Sequence, residues 1–352
     1  MNGQVVPEAA APGGGGRRYE AVVIGGGAAG LSGALTLGRA RRSVLVVDDG
    51  RPRNAPAGGV HVYLGREGTP PGELLAAGRE EVRRYGGEFA EGTVVSVQRA
   101  GEEFRVVLAD GREVRAARLL VATGLADELP PVPGLAALWG TDVLHCPYCH
   151  GWEVRDQAIG VLGTGPLAVH QALLWRQWSE HVTLFLHTGP EPAEEEYEQL
   201  AARGVAVVDG EVAALETEGG RLSGVRLAGG TVLACQALAV APGLAPRAGF
   251  LAPLGLRPVA LERDGAVIGR HIAADATGRT AVPGVWVAGN VASPVEQVIG
   301  SAAAAVRAAG ALNADLIAEE TRRAVAARRA PFSAAMEREA SERVLGASRH
   351  GI

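Results

Sequence analysis

The chain has 352 residues, of which 47% are hydrophobic and 21% are charged, and its formal net charge is −5. This length provides for two domains with separate cores, and the mixed charge excludes a polybasic surface for nucleic acid or anionic membrane. All 34 basic residues are arginine, which excludes a lysine Schiff base or a P-loop lysine.

Residues 1–18 are predicted to be a flexible leader. They end in APGGGGRR, are rich in Ala, Pro and Gly, and lack the apolar core of a signal peptide. No apolar run of the chain approaches the roughly 18 residues that a transmembrane helix needs. We therefore expect a cytoplasmic protein without a membrane partner.

Residues 19–49 predict a strand, a glycine turn, a helix and a second strand. The apolar run AVVIG leads into Gly25, Gly27 and Gly30 in G-x-G-x-x-G spacing, and Asp48 closes the second strand. In such a unit the turn and the helix N-terminus approach a pyrophosphate, and the carboxylate accepts hydrogen bonds from ribose hydroxyls. The pattern predicts a dinucleotide-binding βαβ unit.

A second unit of the same kind is predicted at residues 158–187, where the turn from Gly163 to Ala168 has G-x-G-x-x-A spacing. Hairpin-like strands separate the two units, with Asp110-Gly111 as a turn, and similar strands follow the second unit. For this second unit, an ordinary strand-helix-strand fold without a ligand remains an alternative.

The late part of the chain predicts a strand and a helix rich in small residues. The strand lies in VPGVWVAGN at 282–290, and the helix lies in QVIGSAAAAVRAAGALNADLIAEE at 297–320. Its Ala and Gly residues would let this helix approach a flat ligand or a sheet closely. From Thr321 the chain is charged and predicted helical, with Pro331 interrupting the helix and Ser333 capping a last one.

The stretch HCPYCHG at 145–151 carries two of the three cysteines, Cys146 and Cys149. Its spacing is compatible with covalent haem attachment, with half of a zinc site, or with a redox-active dithiol pair. Three cysteines in a chain without an export signal do not predict a disulfide framework. Cys235, in the apolar run VLACQALAV, is predicted to be a buried core residue.

Four motifs together make the chain resemble the thioredoxin reductase-like flavoproteins, from Tyr19 to about Glu320. They are GGGAAG after the first strand, the ATG of 122–124, C-x-x-C ahead of the second glycine turn, and PGVWVAGN near the end. The resemblance implies an α/β fold of two Rossmann-like, three-layer ββα dinucleotide-binding domains, the second inserted in the first. The implied segments are an FAD-binding domain at 19–137 and 272–320, an inserted NAD(P)H-like domain at 138–271, and a charged helical tail at 321–352.

The resemblance also implies which residues hold FAD. They come from the first glycine turn, the end of the second strand with its following loop, the ATG motif and the late motif. These residues are Gly25, Gly27, Ala28, Ala29, Gly30, Asp48, Asp49, Arg53, Asn54, Ala122, Thr123, Gly124, Gly289, Asn290, Gln297 and Val298. The family's late A-G-D motif ends here in Asn290, whose amide can still bond a ribityl hydroxyl.

Within the family, the chain is most similar to the dithiol oxidases that close disulfides in natural products such as gliotoxin, holomycin and romidepsin. The shared features are the C-P-[YF]-C-H-G form, where thioredoxin reductases generally have Asp after the second cysteine, and the stretch GRPRNA at 50–55. The resemblance implies a homodimer that oxidises a small dithiol and passes electrons through FAD to O2, giving H2O2. Haem is disfavoured because its covalent attachment normally follows export and no export signal is present. Zinc is disfavoured because no second C-x-x-C appears and the FAD motifs would be left unexplained, so no metal site is predicted.

The resemblance assigns roles around the cysteine pair. A substrate thiolate attacks Cys146 and forms a mixed disulfide, and Cys149 is the cysteine nearer the isoalloxazine, which it attacks. The exchange needs a proton acceptor, and His150 is the first candidate, since it stands where reductases place an acid. His61, in GGVHVYLGREG, lies where this branch has a histidine near the flavin, and His145 is a weaker candidate.

The second unit lacks the pair of arginines with which NADPH-binding relatives hold the 2′-phosphate. The corresponding stretch, 185–196, has four glutamates and no arginine, and the next arginine is Arg203. Losing two charge-assisted hydrogen bonds would cost about 3 to 6 kcal/mol, so NADPH is disfavoured. Two alternatives remain: an NAD(P)H-dependent disulfide reductase of the thioredoxin reductase kind, and a non-catalytic redox-sensing flavoprotein.

Overall fold

The computed structural model describes residues 17–263, 266–329 and 334–345. These residues form nineteen strands and seven α-helices. The strands are β1 (Arg18–Ile24), β2 (Val44–Asp48), β3 (Glu88–Glu91), β4 (Val94–Ala100), β5 (Glu103–Leu108), β6 (Glu113–Val121), β7 (Leu125–Glu128), β8 (Val143–Leu144), β9 (Ile159–Leu162), β10 (Val182–Phe185), β11 (Ala206–Val208), β12 (Val212–Glu218), β13 (Arg221–Leu227), β14 (Val232–Ala234), β15 (Ala237–Val240), β16 (Gly243–Pro246), β17 (Val259–Arg263), β18 (Ala266–His271) and β19 (Val285–Val287). The helices are α1 (Ala28–Arg39), α2 (Pro71–Arg84), α3 (Pro147–His150), α4 (Ala168–Trp175), α5 (Glu194–Ala202), α6 (Val298–Arg329) and α7 (Ala334–Leu345).

The first sheet has a parallel core with an antiparallel extension. β3, β2, β1, β6 and β19 run parallel, and β5 and β4 continue antiparallel from β6. β1 and β2 contain runs of buried aliphatic residues, as expected of parallel strands covered on both faces. On one face, α1 and α6 bury Leu37, Trp286 and Ala305 against the sheet. The strand-turn-helix-strand order predicted at 19–49 is confirmed.

The first sheet joins segments that are far apart in the sequence. β19 pairs with β6, with Trp286 opposite Leu120, although the whole second sheet lies between them along the chain. The β7–β16 ribbon carries the chain between the sheets in both directions, since β7 follows β6 and β16 follows β15. The predicted α/β class with one unit inserted in another is therefore confirmed, whereas the boundaries at 137, 271 and 320 remain predictions.

The second sheet is parallel throughout, in the order β11, β10, β9, β15, β8. The antiparallel strands β12 to β14 pack on one face, and α4 and α5 pack on the other. The order predicted at 158–187 is confirmed by β9, α4 and β10. Cys235 lies in this core with 1% of its surface exposed, as predicted, and burial raises the pKa of its thiol to about 12.

Helix α6 is continuous from Val298 to Arg329, so the charged tail predicted from Thr321 begins inside it. It packs on α1 through small residues, since a Cβ on Gly33 would lie 3.7 Å from the Cβ of Ala305. The predictions for residues 1–16, Pro331 and Ser333 lie outside the described residues. In the described parts of the chain, no helix is both long and apolar enough to span a membrane.

A buried carboxylate ties the start of β8 to the β12–β14 sheet. Asp142 is 1% exposed and accepts hydrogen bonds from Arg221 Nη2 at 2.6 Å and from the backbone N–H of Leu222 at 2.8 Å. Burial by itself would raise the pKa of Asp142, but these hydrogen bonds outweigh burial and lower the pKa. The carboxylate therefore stays ionised and holds both donors.

We expect Asp142→Asn to lower the free energy of unfolding by about 1–3 kcal/mol, because the amide leaves one buried donor without an acceptor. The folded-state pKa is lowered, so this stabilisation is present above the unfolded value of about 3.9 and is lost as the pH falls. Urea unfolding at neutral and acidic pH measures both effects. The same substitution at the exposed Asp110, which pairs with Arg112, is the matched control and should change little. Equal stability of Asp142→Asn and wild type at neutral pH would contradict the expectation.

Candidate active site

A cleft of about 820 Å³ opens at the carboxyl ends of β1, β2 and β6 and extends to the segment that carries the cysteine pair. Its volume lies within the range of ligand sites, about 300–1,000 Å³. The predicted site residues that line it are Gly25, Gly27, Ala28, Ala29, Asp48, Asp49, Arg53, Asn54, His61, Ala122, Thr123, Gly124, Cys146, Cys149, His150, Gly289, Asn290, Gln297 and Val298. Gly30 lies behind the cleft, where any side chain would overlap the carbonyl oxygen of Gly25.

The first glycine turn has the shape that a pyrophosphate site needs. Gly25 has a φ of +104°, and a Cβ there would overlap the carbonyl oxygen of Ala122, so glycine is required. Gly27 caps α1 without a side-chain hydrogen bond, and a Cβ on it would meet nothing within 4 Å. The first N–H groups of α1 therefore face the cleft, where a helix N-terminus favours an anion. These residues fit the diphosphate of FAD.

Asp48 is held in place at the end of β2. Its Oδ1 accepts a hydrogen bond from the N–H of Gly26 at 2.9 Å, and its Oδ2 accepts one from Arg79 Nη2 at 2.7 Å. The carboxylate therefore braces the glycine turn as well as lining the cleft. Its predicted contact with a ribose remains a prediction.

Asn290 organises the loop ahead of α6. Its Nδ2 lies 3.1, 3.2 and 2.9 Å from the carbonyl oxygens of Ser293, Pro294 and Glu296. An aspartate, which the family pattern has at this position, would place a carboxylate oxygen beside three carbonyl oxygens. The departure from A-G-D therefore matches the loop that this chain builds, and the contact of Asn290 with FAD remains a prediction.

Cys146 and Cys149 lie at the start of the one-turn helix α3, with their Sγ atoms 2.7 Å apart. The hydrogen bond from Cys149 is the main cause that lowers the pKa of Cys146, to about 7, against an opposing effect of burial. Backbone N–H groups of Tyr148 and Cys149 and the side chain of Gln297 lower it further. The same hydrogen bond, together with burial, raises the pKa of Cys149. The reduced pair therefore holds a thiolate on Cys146 and a thiol on Cys149.

Arg53 lies close to the pair. Its guanidinium donates hydrogen bonds of 2.8 and 2.5 Å to the carboxylate of Asp127, whose side chain is 9% exposed. The positive charge of Arg53 favours a thiolate on Cys149, although burial and the neighbouring cysteine dominate there. Arg53, which was predicted to contact FAD, therefore also lowers the energy of a negative charge on Cys149.

Three histidines lie near the pair. Burial lowers the pKa of His145 and of His150, so both are neutral at neutral pH. The Nδ1 of His61 lies 2.6 Å from Glu67 Oε1, and its Nε2 lies 3.6 Å from Glu153 Oε1. His61 therefore bridges its own loop to the segment that follows the cysteines.

The second glycine turn is hydrogen-bonded to the loop after β10. The carbonyl oxygen of Gly163 accepts hydrogen bonds from the N–H groups of Thr188 and Gly189, which follow β10, at 3.2 and 2.8 Å. Pro166 stands just ahead of α4 and has no N–H to donate. The first turn of α5 carries three glutamates. These features distinguish this turn from the first glycine turn.

A family model for pyridine nucleotide-disulphide oxidoreductases matches residues 19–309. The chain belongs to this family. The protein in the crystal structure of HlmI is 47% identical in sequence to this oxidoreductase. The two structures match with a TM-score of 0.81 over 88% of this chain and 96% of that one. The crystal structure of an oxidoreductase from Agrobacterium tumefaciens is 35% identical, with a TM-score of 0.80, over 85% of this chain and 99% of that one.

Curated relatives match a shorter region. The thioredoxin reductase tcpT of Claviceps purpurea is 36% identical over 166 residues, which are 45% of this chain and 52% of the relative. The thioredoxin reductase sirT of Leptosphaeria maculans is 36% identical over 172 residues, again 45% and 52%. The chain thus spans about half the length of these curated relatives. The predicted resemblance to thioredoxin reductase-like proteins is confirmed, and the family implies FAD.

Three charged side chains of this oxidoreductase were not predicted from the sequence, although each forms an ion pair with a predicted site residue. The pairs are Arg79 with Asp48, Asp127 with Arg53, and Glu67 with His61. Glu67 follows His61 within the same short loop, so this spacing could have suggested the pair. The other two partners are distant in the sequence, and no local pattern points to them.

We expect the reduced oxidoreductase to react with iodoacetamide at Cys146 first, with a pH midpoint near 7. The thiolate is the reactive form, so the rate rises with pH through the thiol pKa, which is about 8.5 for a free cysteine. Mass spectrometry of alkylated peptides measures the midpoint. Cys149→Ala should raise it, because the thiol that donates to Cys146 is gone. Preferential labelling of Cys149 would contradict this assignment.

We expect Asn290→Asp to weaken FAD retention and to destabilise the protein, although it restores the family motif. A carboxylate beside three carbonyl oxygens is repelled, and the loss of the amide donors costs about 1–3 kcal/mol. Thermal unfolding and the dissociation constant of FAD measure the two effects. The same change at Asn313 is the control, because its Oδ1 accepts from Arg42 Nε at 2.7 Å and a carboxylate suits that donor. Tighter FAD binding by Asn290→Asp would refute the explanation.

Proposed function

We propose that this oxidoreductase oxidises a small dithiol to a disulfide through the Cys146–Cys149 pair, with FAD as its cofactor and O2 as the final acceptor. The observation that carries the proposal is the unequal pair of thiols in a cleft that also contains the first glycine turn. The two cysteines can therefore take different roles in disulfide exchange, because the rates of attack and of departure depend on the pKa of each thiol.

The first step opens the enzyme disulfide. A substrate thiolate attacks Cys146 Sγ, the Cys146–Cys149 bond breaks, and its electron pair leaves on Cys149. Arg53, held by Asp127, stabilises the charge that forms on Cys149. Burial then favours a proton on Cys149, since Cys146 is bonded to the substrate sulfur at this stage. As a thiol it attacks the mixed disulfide poorly, so the reverse reaction is slowed.

The second step closes the substrate disulfide. The other substrate thiolate attacks the substrate sulfur of the mixed disulfide, and Cys146 leaves with the electron pair. A thiol with a lower pKa leaves faster, and the pKa of Cys146 is lowered to about 7. The substrate has then lost two electrons, and the enzyme holds them as the reduced pair.

FAD fits the residues that line the cleft. The first glycine turn and the N-terminus of α1 would hold its diphosphate, Asp48 its ribose, and Asn290 with Gln297 the end near the cysteines. When bound, FAD would supply the two-electron acceptor that restores the enzyme disulfide, and O2 would carry the electrons away as H2O2. The cysteine pair lines the same cleft, which supports this coupling.

The second glycine turn supports an oxidase in which no NADPH delivers electrons. Thr188 and Gly189 fold back on Gly163, Pro166 removes a donor, and three glutamates open α5. An NAD(P)H-dependent disulfide reductase is the second candidate, and the family and the intact second sheet favour it. A redox-sensing flavoprotein without turnover is the third.

Anaerobic flavin bleaching separates these candidates. The holoenzyme is mixed in turn with NADPH, NADH and dithiothreitol, and the flavin absorbance is followed before and after air is admitted. We expect rapid bleaching by the dithiol, slow or no bleaching by either nucleotide, and H2O2 on reoxidation. Cys149→Ser should keep FAD and lose bleaching by the dithiol, whereas the matched change at the buried Cys235 should keep it. Rapid bleaching by NADPH would refute the oxidase, and bleaching by none of the three would favour the sensor.

A further inference from the structure

We propose that Glu67 is the positioning residue that holds His61 as the proton acceptor for the substrate thiols. The inference rests on the dithiol oxidation proposed above and adds the residues that handle its protons. His61 and the cysteine pair line the same cleft, and Glu67, whose carboxylate is exposed, pairs with His61.

Glu67 fixes both the ring of His61 and the backbone beside it. Its Oε1 lies 2.6 Å from His61 Nδ1, and its Oε2 accepts a hydrogen bond from the N–H of Val62 at 2.9 Å. Val62 has a φ of +58°, which is unfavourable for a β-branched residue and persists where surrounding contacts hold it. The carboxylate therefore closes a strained turn and keeps the imidazole in one orientation.

The carboxylate also decides which nitrogen of His61 carries the proton. An ionised carboxylate accepts hydrogen bonds, so Nδ1 must donate to Glu67 and Nε2 keeps its lone pair. The hydrogen bond to His61 lowers the pKa of Glu67, which keeps the carboxylate ionised. The carboxylate therefore fixes both the orientation and the tautomer of the neutral imidazole.

The free nitrogen is turned toward the segment that carries the cysteines. Nε2 lies 3.6 Å from Glu153 Oε1, beyond ordinary hydrogen-bond length, and Glu153 follows Cys149 by four residues. The groups that face His61 are therefore Glu67, Glu153 and His150. Burial lowers the pKa of His150, so its imidazole is a poor proton acceptor.

The protons and electrons of the exchange then balance. His61 Nε2 takes the proton of the first substrate thiol, and the thiolate breaks the Cys146–Cys149 bond. One proton ends on Cys149 and Cys146 remains a thiolate. The proton of the second substrate thiol leaves through His61 to solvent. In total the substrate loses two electrons and two protons, and the enzyme pair gains two electrons and one proton.

The test compares Glu67→Gln with wild-type holoenzyme in anaerobic stopped-flow bleaching by dithiothreitol. At neutral pH we expect the bimolecular rate to fall about 10- to 100-fold, the range for loss of an orienting partner. Above the substrate thiol pKa, about 8.5 for a free thiol, the substrate arrives as thiolate and needs no acceptor, so the two rates should converge. His61→Asn should show the same pH-dependent deficit. Glu73→Gln, which removes an exposed carboxylate in the first turn of α2, should match wild type at every pH.

A second measurement does not depend on turnover. Imidazole ¹⁵N shifts of His61 should show a proton on Nδ1 in wild type and a mixture of tautomers in Glu67→Gln, because an amide can donate as well as accept. A deficit that persists in alkali, or no deficit at any pH, would overturn the role of Glu67 while leaving the oxidase proposal intact. If dithiols fail to bleach even the wild type, the oxidase proposal fails, and the base role of His61 fails with it.

Discussion

The close approach of Gly25 to the carbonyl oxygen of Ala122 is the constraint on which the site depends. No side chain fits between them, so β1 and β6 can end side by side and leave the N-terminus of α1 facing a cleft. Directly after Ala122 the chain turns at Gly124, with a φ of +68°, and enters the β7–β16 ribbon. One glycine contact thereby links the turn that fits a diphosphate to the ribbon that leads to the cysteine pair.

Within the cleft, Arg53 and His61 are positioned by charged partners rather than by their own elements. Asp127 holds Arg53 and Glu67 holds His61, so a cation stands near Cys149 and a free imidazole nitrogen stands near the same segment. The cysteines differ mainly because the hydrogen bond between them lowers the pKa of Cys146 and raises that of Cys149. Such asymmetry affects the rates of exchange, since a thiol with a lower pKa is the better leaving group.

The fold and most cleft-lining residues could be predicted from local patterns, because glycine spacing and buried strands are properties of neighbouring residues. G-x-G-x-x-G between apolar strands specifies β1, α1 and β2, and the second spacing specifies β9, α4 and β10. The charged partners could not be predicted in this way. Asp127 contacts Arg53 because the β7–β16 ribbon passes beside the loop after β2. This contact depends on the tertiary structure and not on local sequence. The three carbonyl oxygens that bond the amide of Asn290 are likewise brought together by the path of the loop ahead of α6.

The two glycine turns show why spacing alone does not predict ligand binding. Both follow a buried parallel strand and precede a helix, and a Cβ on Gly27 or on Gly165 would meet nothing within 4 Å, but the first carbonyl of the second turn is bonded to the loop after the next strand. The difference lies in residues outside either motif: Arg79 draws Asp48 against the first turn, whereas Thr188 and Gly189 cover the carbonyl of Gly163. The residues after the second strand of each unit therefore decide what contacts its glycine turn, and the glycine spacing alone does not reveal those contacts.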